Sequence, residues 1–533
     1  MMEQRLSPRR IGFIMSGVML SLLLAALDNT VVGTAMPRII RDLKGMEYYS
    51  WPFTAYMLFS ASIIPIAGKL SDIYGRKLID LIGMIIFIVA SALCGLSANM
   101  IQLIIFRGFQ GLGGGVLVSS AFIIVGELFS PRERGKYMGF VASMFGVASV
   151  LGPTVGGFIT DRLSWRWVFY VNLPLGFFAF FVLLIGLPLL KHHEEERRID
   201  LAGVTAFLLA VFPLLLAFSA GGKEYPWLSP VIIGLFTFSG LMFFVFISLE
   251  RRSREPLLPL SLFRNGIFSI SVAASFLASA GLFGAVIFIP LFAQAIMGAS
   301  ATGSGVITTP MMLGMIVAAI VTGIVSGRLR RFRSIGLVGF ACAFAGMVLL
   351  ARMGSSTSRG LLMLNVVLVG LGIGMTIPIF NVSVQNAFPL RQLGAVTSAL
   401  QFFRNMGGTV SSAILGSVML ASYEGRLKSL SLASMPVEVQ RLLKDTKTLR
   451  NPSAIERIKS LLPRSSTDQL DSIMMQAKSA LAVSILDVFL ICVFIFLAGL
   501  LITIFLNEKE VRKGVESHRG RPSATAGKTA ERS

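Results

Sequence analysis

Charged side chains set inside long apolar runs are the residues of this sequence best placed to do chemistry. Asp28 interrupts the run Ile11–Met36, and Arg107 interrupts the run Ile101–Val125. If these runs are helices in a bilayer, a rise of ~1.5 Å per residue puts Asp28 roughly 12 Å and Arg107 roughly 9 Å below the same face. A charge at such depth costs about 2.5–3.5 kcal/mol on insertion scales, and it turns toward the protein interior. The two can therefore pair. Burial favours the neutral carboxyl and a nearby guanidinium favours the carboxylate. The pair is then either a fixed structural bridge or a site that binds and releases a proton, with Asp28 as the carrier. Arg404 and Asp487 form a second candidate pair at a looser match of depth, with a structural role. Glu127 closes the fourth run, before Pro131, nearer an interface than the midplane.

Other chemistries lack the residues they need. His192, His193 and His518 lie outside the apolar runs, and Cys94, Cys342 and Cys492 stand singly in three different ones. An embedded enzyme would need a cluster of His, Cys or acidic side chains at one depth. No metal site and no cofactor is expected. Gly527-Lys528-Thr529 has Pro522 where a phosphate loop requires its first glycine, and no strand precedes it.

The elements that position these residues follow from hydropathy. Only 14% of the 533 residues are charged and 54% are hydrophobic, against about 25% charged in soluble domains. Apolar runs of membrane-spanning length recur from Ile11 to Leu506. Backbone groups in lipid need internal partners, so such segments are helices or a closed barrel. Continuous apolarity excludes the alternating pattern of a barrel. Fourteen spans are expected, the first Ile11–Met36 and the last Ser479–Leu506. The ninth, twelfth and thirteenth (Gly266–Met297, Leu361–Phe388 and Leu393–Ser422) exceed the bilayer thickness and must tilt, kink or protrude. Pro290 and Pro378 are candidate kinks.

The net charge of +21 resides mostly in loops and tails, the distribution that orients a membrane protein rather than one that binds nucleic acid. Alternate short loops hold Arg76-Lys77, Arg132 to Lys136, Arg197-Arg198, Arg251 to Arg254 and Arg328 to Arg333. These loops and both termini are expected on the cytoplasmic side of the cell membrane. Segment 423–478 is expected outside with short surface helices, such as one through Val437–Leu443. The tail 507–533 is expected to be disordered in the cytoplasm.

Several segments carry a resemblance together. They are Leu27 to Val32 with Ala35-Met36-Pro37; Gly68-Lys69-Leu70-Ser71-Asp72-Ile73-Tyr74-Gly75-Arg76-Lys77; and Arg107-Gly108-Phe109-Gln110-Gly111. Further along come Gly146 with Gly152-Pro153-Thr154-Val155-Gly156-Gly157; Trp165 to Gly176; and Phe403-Arg404-Asn405-Met406-Gly407-Gly408. In this order the set resembles the major facilitator superfamily, and within it the fourteen-helix drug/proton antiporter branch. The resemblance implies an all-α polytopic fold. A six-helix bundle (1–190) and a second (266–506, including loop 423–478) would flank two inserted helices (191–265). The loops after helices 2 and 10, each glycine followed by basic residues, are a weak internal echo of such a repeat.

The resemblance also implies roles. Gly68, Asp72, Gly75, Arg76 and Lys77 would form a cytoplasmic gate latch, the bland alternative being topology-setting charge. Gly146, Gly152, Pro153, Gly156 and Gly157 would be a packing face that seals the two halves, the alternative being ordinary small-residue contact. Asp28, Arg107 and Glu127 would serve proton coupling. Met57, Phe59, Phe109, Gln110, Gln294, Asn381, Gln385, Asn386, Gln401 and Phe402 hint at a cavity for amphipathic compounds, although most Met and Phe in such a chain simply face lipid. The expected activity is proton-coupled multidrug efflux by a monomer in contact with lipid, protons and small molecules. Export of one endogenous metabolite or lipid on the same scaffold is the alternative, and an embedded enzyme is a third, weaker one.

Overall fold

The computed structural model describes residues 7–188, 199–222, 224–299, 301–329, 331–354, 357–428 and 467–508. Fourteen long helices run through them: α1 (Pro8–Leu43), α2 (Trp51–Tyr74), α3 (Arg76–Leu96), α4 (Met100–Leu128), α5 (Arg134–Arg162), α6 (Trp167–Gly186), α7 (Leu201–Ala220), α8 (Pro230–Arg252), α9 (Gly266–Ala295), α10 (Ala301–Leu329), α11 (Phe332–Ala351), α12 (Arg359–Ala387), α13 (Leu393–Lys428) and α14 (Thr467–Ile504). Among the described residues there is no strand, only an isolated bridge between Gly221 and Tyr225.

Local sequence explains where the helices start. The side chains of Ser7, Asn99, Asp200, Ser229, Asn265 and Ser358 each accept a backbone N–H of the first turn, satisfying a donor with no partner within the helix. Pro8 and Pro230 occupy first-turn positions that need no N–H. Pro290 and Pro378 lie inside α9 and α12 without ending them.

Thirteen of the helices are long and apolar enough to cross a membrane. The remaining one, α13, has 36 residues, ample length at ~1.5 Å per residue, but it carries Gln401, Arg404 and Asn405. Protein rather than lipid surrounds that stretch: Gln401 and Phe402 are buried and Arg404 and Asn405 half-buried.

Two expected boundaries move. Helix α1 continues to Leu43, so Arg38 and Arg41 belong to its last turns, and the Arg38 guanidinium donates to the Thr160 carbonyl on α5. Helix α13 continues to Lys428 and α14 begins at Thr467. The surface helices expected near Val437 and most of the tail expected after Asn507 fall outside the described residues.

Packing follows two sets. Helices α1 to α6 pack among themselves, chiefly α2 on α4, α3 on α4 and α1 on α5 and α6; α9 to α14 do likewise, chiefly α10 on α12, α11 on α12 and α9 on α13 and α14. Helices α7 and α8 pair with each other, and α7 rests on α2 and α13. The sets meet mainly through α5 against α10 and α2 against α13. Both contacts are tightest at the end of the bundle where α2 turns into α3, here the basic end. A Cβ on Gly135 would fall 2.4 Å from Ser326 Oγ, and one on Gly139 2.4 Å from the Ala319 carbonyl. One on Gly68 would fall 2.1 Å from Ser398 Oγ and 2.6 Å from the Gly394 carbonyl. Side-chain-free surfaces let the backbones approach this closely.

Candidate functional site

Asp28 of α1 and Arg107 of α4 form a salt bridge with both side chains completely buried. Removing two charges from water costs several kcal/mol per ion unless their remaining hydrogen-bonding capacity is met, and here five helices meet it. Arg107 donates through Nη1 to Asp28 and to Gln110 Oε1 (2.7 Å), through Nη2 to Asn29 Oδ1 (3.1 Å) and through Nε to the Pro52 carbonyl (3.3 Å). Its plane lies 4.3 Å from the centre of the Tyr56 ring. Asp28 Oδ1 accepts from Gln110 Nε2 (2.8 Å) and Asn172 Nδ2 (2.9 Å), and both amides also reach Ser91 Oγ. Sequence depth brought Asp28 and Arg107 together. Asn172 and Ser91 were not anticipated, since neutral residues leave no signal against an apolar background.

At the basic end Asp72 closes the seam between α2 and α13. Its Oδ1 accepts the Gly394 N–H (3.1 Å) and its Oδ2 the Ala395 N–H (2.9 Å), so the carboxylate caps the first turn of α13. An anion is favoured there by the helix dipole and by otherwise unpaired donors. Arg76 bridges Asp72 and also donates to Ser71 Oγ (2.6 Å) and Glu127 Oε2 (2.9 Å). Gly75 turns the chain between α2 and α3 at φ +94°, a conformation that glycine adopts freely. Lys77 is half-exposed and stands outside these contacts. Nearby, Arg134 donates to the Gln385 carbonyl and Asn386 Oδ1, both at 3.0 Å, tying α5 to α12. Glu127 thus belongs with Arg76 and not with the Asp28 network. Twenty residues of α4 part it from Arg107, roughly 30 Å along the axis.

Between the two clusters lies a cavity of about 370 Å³, lined by α1, α2, α4, α5, α9, α10, α12 and α13. Of the residues expected to line it, Met57 and Asn381 do so. The others are elsewhere. Phe109 is half-exposed on the outer surface. Gln110 serves the Asp28 network and Gln294 bonds Ser304. Gln385 bonds the Phe122 carbonyl and Thr397 at the basic end. Gln401 sits behind Asn381, donating to its Oδ1 at 2.8 Å. Phe59 packs on Phe212, and Phe402 on Phe207 and Phe403. Residue type pointed to polar and aromatic side chains, but the direction each one faces is set by packing.

Two further expectations change. Arg404 and Asp487 do not pair. Asp487 accepts from Arg426 Nη2 (2.8 Å) and Ser422 Oγ (2.6 Å), while Arg404 lies against Phe122 and Phe145 in the cavity wall. Arg426 was overlooked because the thirteenth span was ended at Ser422, six residues before the helix ends at Lys428. The glycines of α5 serve different neighbours. Gly146 faces Ile316 and Met312 of α10, but Gly152 and Gly156 face Thr30 and Thr34 of α1, within their own set. Gly157 has open space around it, and Pro153 is exposed. One buried acid was not foreseen: Asp80 on α3 is fully buried and neither oxygen makes a well-formed hydrogen bond, with the Ser120 hydroxyl beside it.

The sequence profile of the Major Facilitator Superfamily matches residues 18–412. The chain belongs to that superfamily. It is 38% identical over 503 residues to the multidrug transporter protein MdtP of Bacillus subtilis, covering 93% of this chain and 92% of that protein. It is also 38% identical over 416 residues to multidrug resistance protein 3 of the same organism, covering 78% and 81%. In three dimensions this major facilitator shares the fold of the human organic anion transporter MFSD10, with TM-score 0.59 at 16% identity over 92% of this chain and all of that one. The family and these relatives are transporters, so the buried charges and the cavity belong to a multi-pass membrane transporter and not to an enzyme.

Proposed function

We propose that this transporter exports hydrophobic or amphipathic compounds of several kinds across the cell membrane, driven by inward movement of protons. Its termini and its basic end face the cytoplasm. It works as a monomer by alternating access, residues 1–190 and 266–506 rocking about the cavity while 191–265 rides alongside. The names of the two bacterial relatives support the substrate class. One observation carries the coupling: Asn29 and Tyr56 line the cavity and also touch Arg107, the first by hydrogen bond and the second by its ring. A substrate that displaces either side chain loosens Arg107 from Asp28 and changes the proton affinity of that carboxyl. A proton moving through about 100 mV releases about 2.3 kcal/mol. A driving force equivalent to ~200 mV would therefore sustain a roughly thousandfold gradient, at ~1.4 kcal/mol per tenfold.

The test is substrate-induced proton release in proteoliposomes. Asp28→Asn should abolish it while Asp28→Glu keeps part. Because Asp28→Asn leaves Arg107 as an uncompensated buried cation, correct folding is checked by elution volume and by substrate binding. Uphill transport with normal proton release in Asp28→Asn would remove Asp28 as the carrier and leave Glu127 as the next candidate.

A further inference from the structure

The charge on the cavity wall bears on which amphipathic compounds fit. Among the described residues lining it, Arg404 is the sole ionic side chain and no carboxylate is present. The Asp28 charge nearby is matched by Arg107. The field inside the cavity is therefore that of one unmatched guanidinium in low-dielectric surroundings. Arg404 is also held in place without being satisfied. Its guanidinium carbon lies 5.3 Å from the centre of the Phe122 ring and 5.0 Å from that of Phe145, and these rings are roughly parallel. Its Nη1 is buried with no hydrogen-bond partner, and none of its other N–H groups donates to a described residue. A guanidinium is a rigid fork suited to two acceptor oxygens, and leaving buried donors unpaired is costly. The neighbouring wall supplies apolar surface (Phe145, Met312, Ile377) and neutral polar groups (Asn381, Asn405) for the rest of a ligand.

We propose that Arg404 is a substrate-binding residue and that the cavity selects amphipathic anions, namely aromatic or aliphatic bodies bearing a carboxylate or sulfonate, over cations of the same shape. This rests on the export reading above and refines its substrate class. The anionic group sits on the open donors of Arg404 and the apolar body lies along Phe145 toward Met312. A cation in the same place meets a like charge with no carboxylate to offset it.

Three probes of one shape test this in purified protein in lipid nanodiscs: 2-naphthalenesulfonate, 2-naphthyltrimethylammonium and neutral 2-methoxynaphthalene. The sulfonate should bind at least about tenfold more tightly than the ammonium, the scale expected of one charge-assisted contact. Arg404→Met should weaken the sulfonate by about ten- to hundredfold and leave the neutral probe unchanged, which shows that the cavity survives. Arg404→Lys, which keeps the charge without the fork, should fall between. Equal or tighter binding of the ammonium by the wild-type protein overturns the proposal without any variant, as does an unaltered sulfonate affinity in Arg404→Met. If the ammonium binds at least as tightly as the sulfonate and is also pumped from proteoliposomes, the anion preference fails and the exporter stands. If no probe binds, the anion preference fails, and the efflux assay judges the exporter separately.

Discussion

Replacing Asp72 by asparagine should open the basic end of the transporter. Asp72 makes three contacts across or beside the seam: the N–H groups of Gly394 and Ala395, and Arg76. Asparagine can still accept one N–H but loses the charge that favours the α13 N-terminus and the bridge to Arg76. An N-terminal capping contact is worth about 0.5–2 kcal/mol, and breaking a buried ion pair costs about 3–5 kcal/mol. Arg76 retains Ser71 and Glu127, so only part of the second figure applies. A net loss of roughly 2–3 kcal/mol from the closed seam corresponds to a ~30- to 150-fold shift in the open-to-closed ratio. Spin labels on cysteines at Tyr74 and Leu390, both exposed on opposite sides of the seam, report it as a longer-distance population, in a background without Cys94, Cys342 and Cys492. Transport should fall while the amount in the membrane stays the same. An unchanged distance distribution with full transport would refute the reasoning and leave Asp72 as a helix cap without a gating role.

Adjacent glycines of α5 should respond oppositely to bulk. A side chain at Gly156 would meet Thr34 Oγ1 at 2.1 Å, whereas Gly157 has nothing within 4 Å; Gly156→Leu should lose transport through about 1–3 kcal/mol or more of overpacking, and Gly157→Leu should be active, both read as efflux per molecule in the membrane. Asp80→Val should raise thermal stability by about 1–3 kcal/mol, since it removes a buried carboxyl lacking good partners; lost transport with the fold retained would instead give Asp80 a titrating role. For orientation, a cysteine at Ser434 should react with an impermeant maleimide applied to intact cells and one at Ser253 should not, and the reverse pattern would invert the proposed topology.

The Asp28–Arg107 pair was legible because rise per residue converts chain position into depth, and two opposite charges at one depth in an apolar setting have few other partners. The same reasoning failed for Arg404 and Asp487, where a helix ended at Ser422 instead of Lys428 hid Arg426. Glu127 lies near the basic end, where it was expected, but its partner Arg76 is on another helix and was not foreseen. Cavity residues fared worst. Hydropathy does not report which way a side chain faces when the whole helix is apolar, so Gln385 and Gln401 went to the lining and Tyr56 and Arg404 did not.

Sequence alone determined that the chain spans a bilayer as many helices, because lipid demands long runs of apolar residues whose backbones satisfy themselves. It also determined where charge interrupts those runs and where glycine allows close approach. Only the tertiary structure decided which helix each interruption faces. Asp72 meets Gly394 and Ala395 more than three hundred residues away, and Gly156 meets α1 rather than the other half. Such pairings depend on the rotation of each helix about its axis and on which helices become neighbours, and contacts from every side of the bundle set these together.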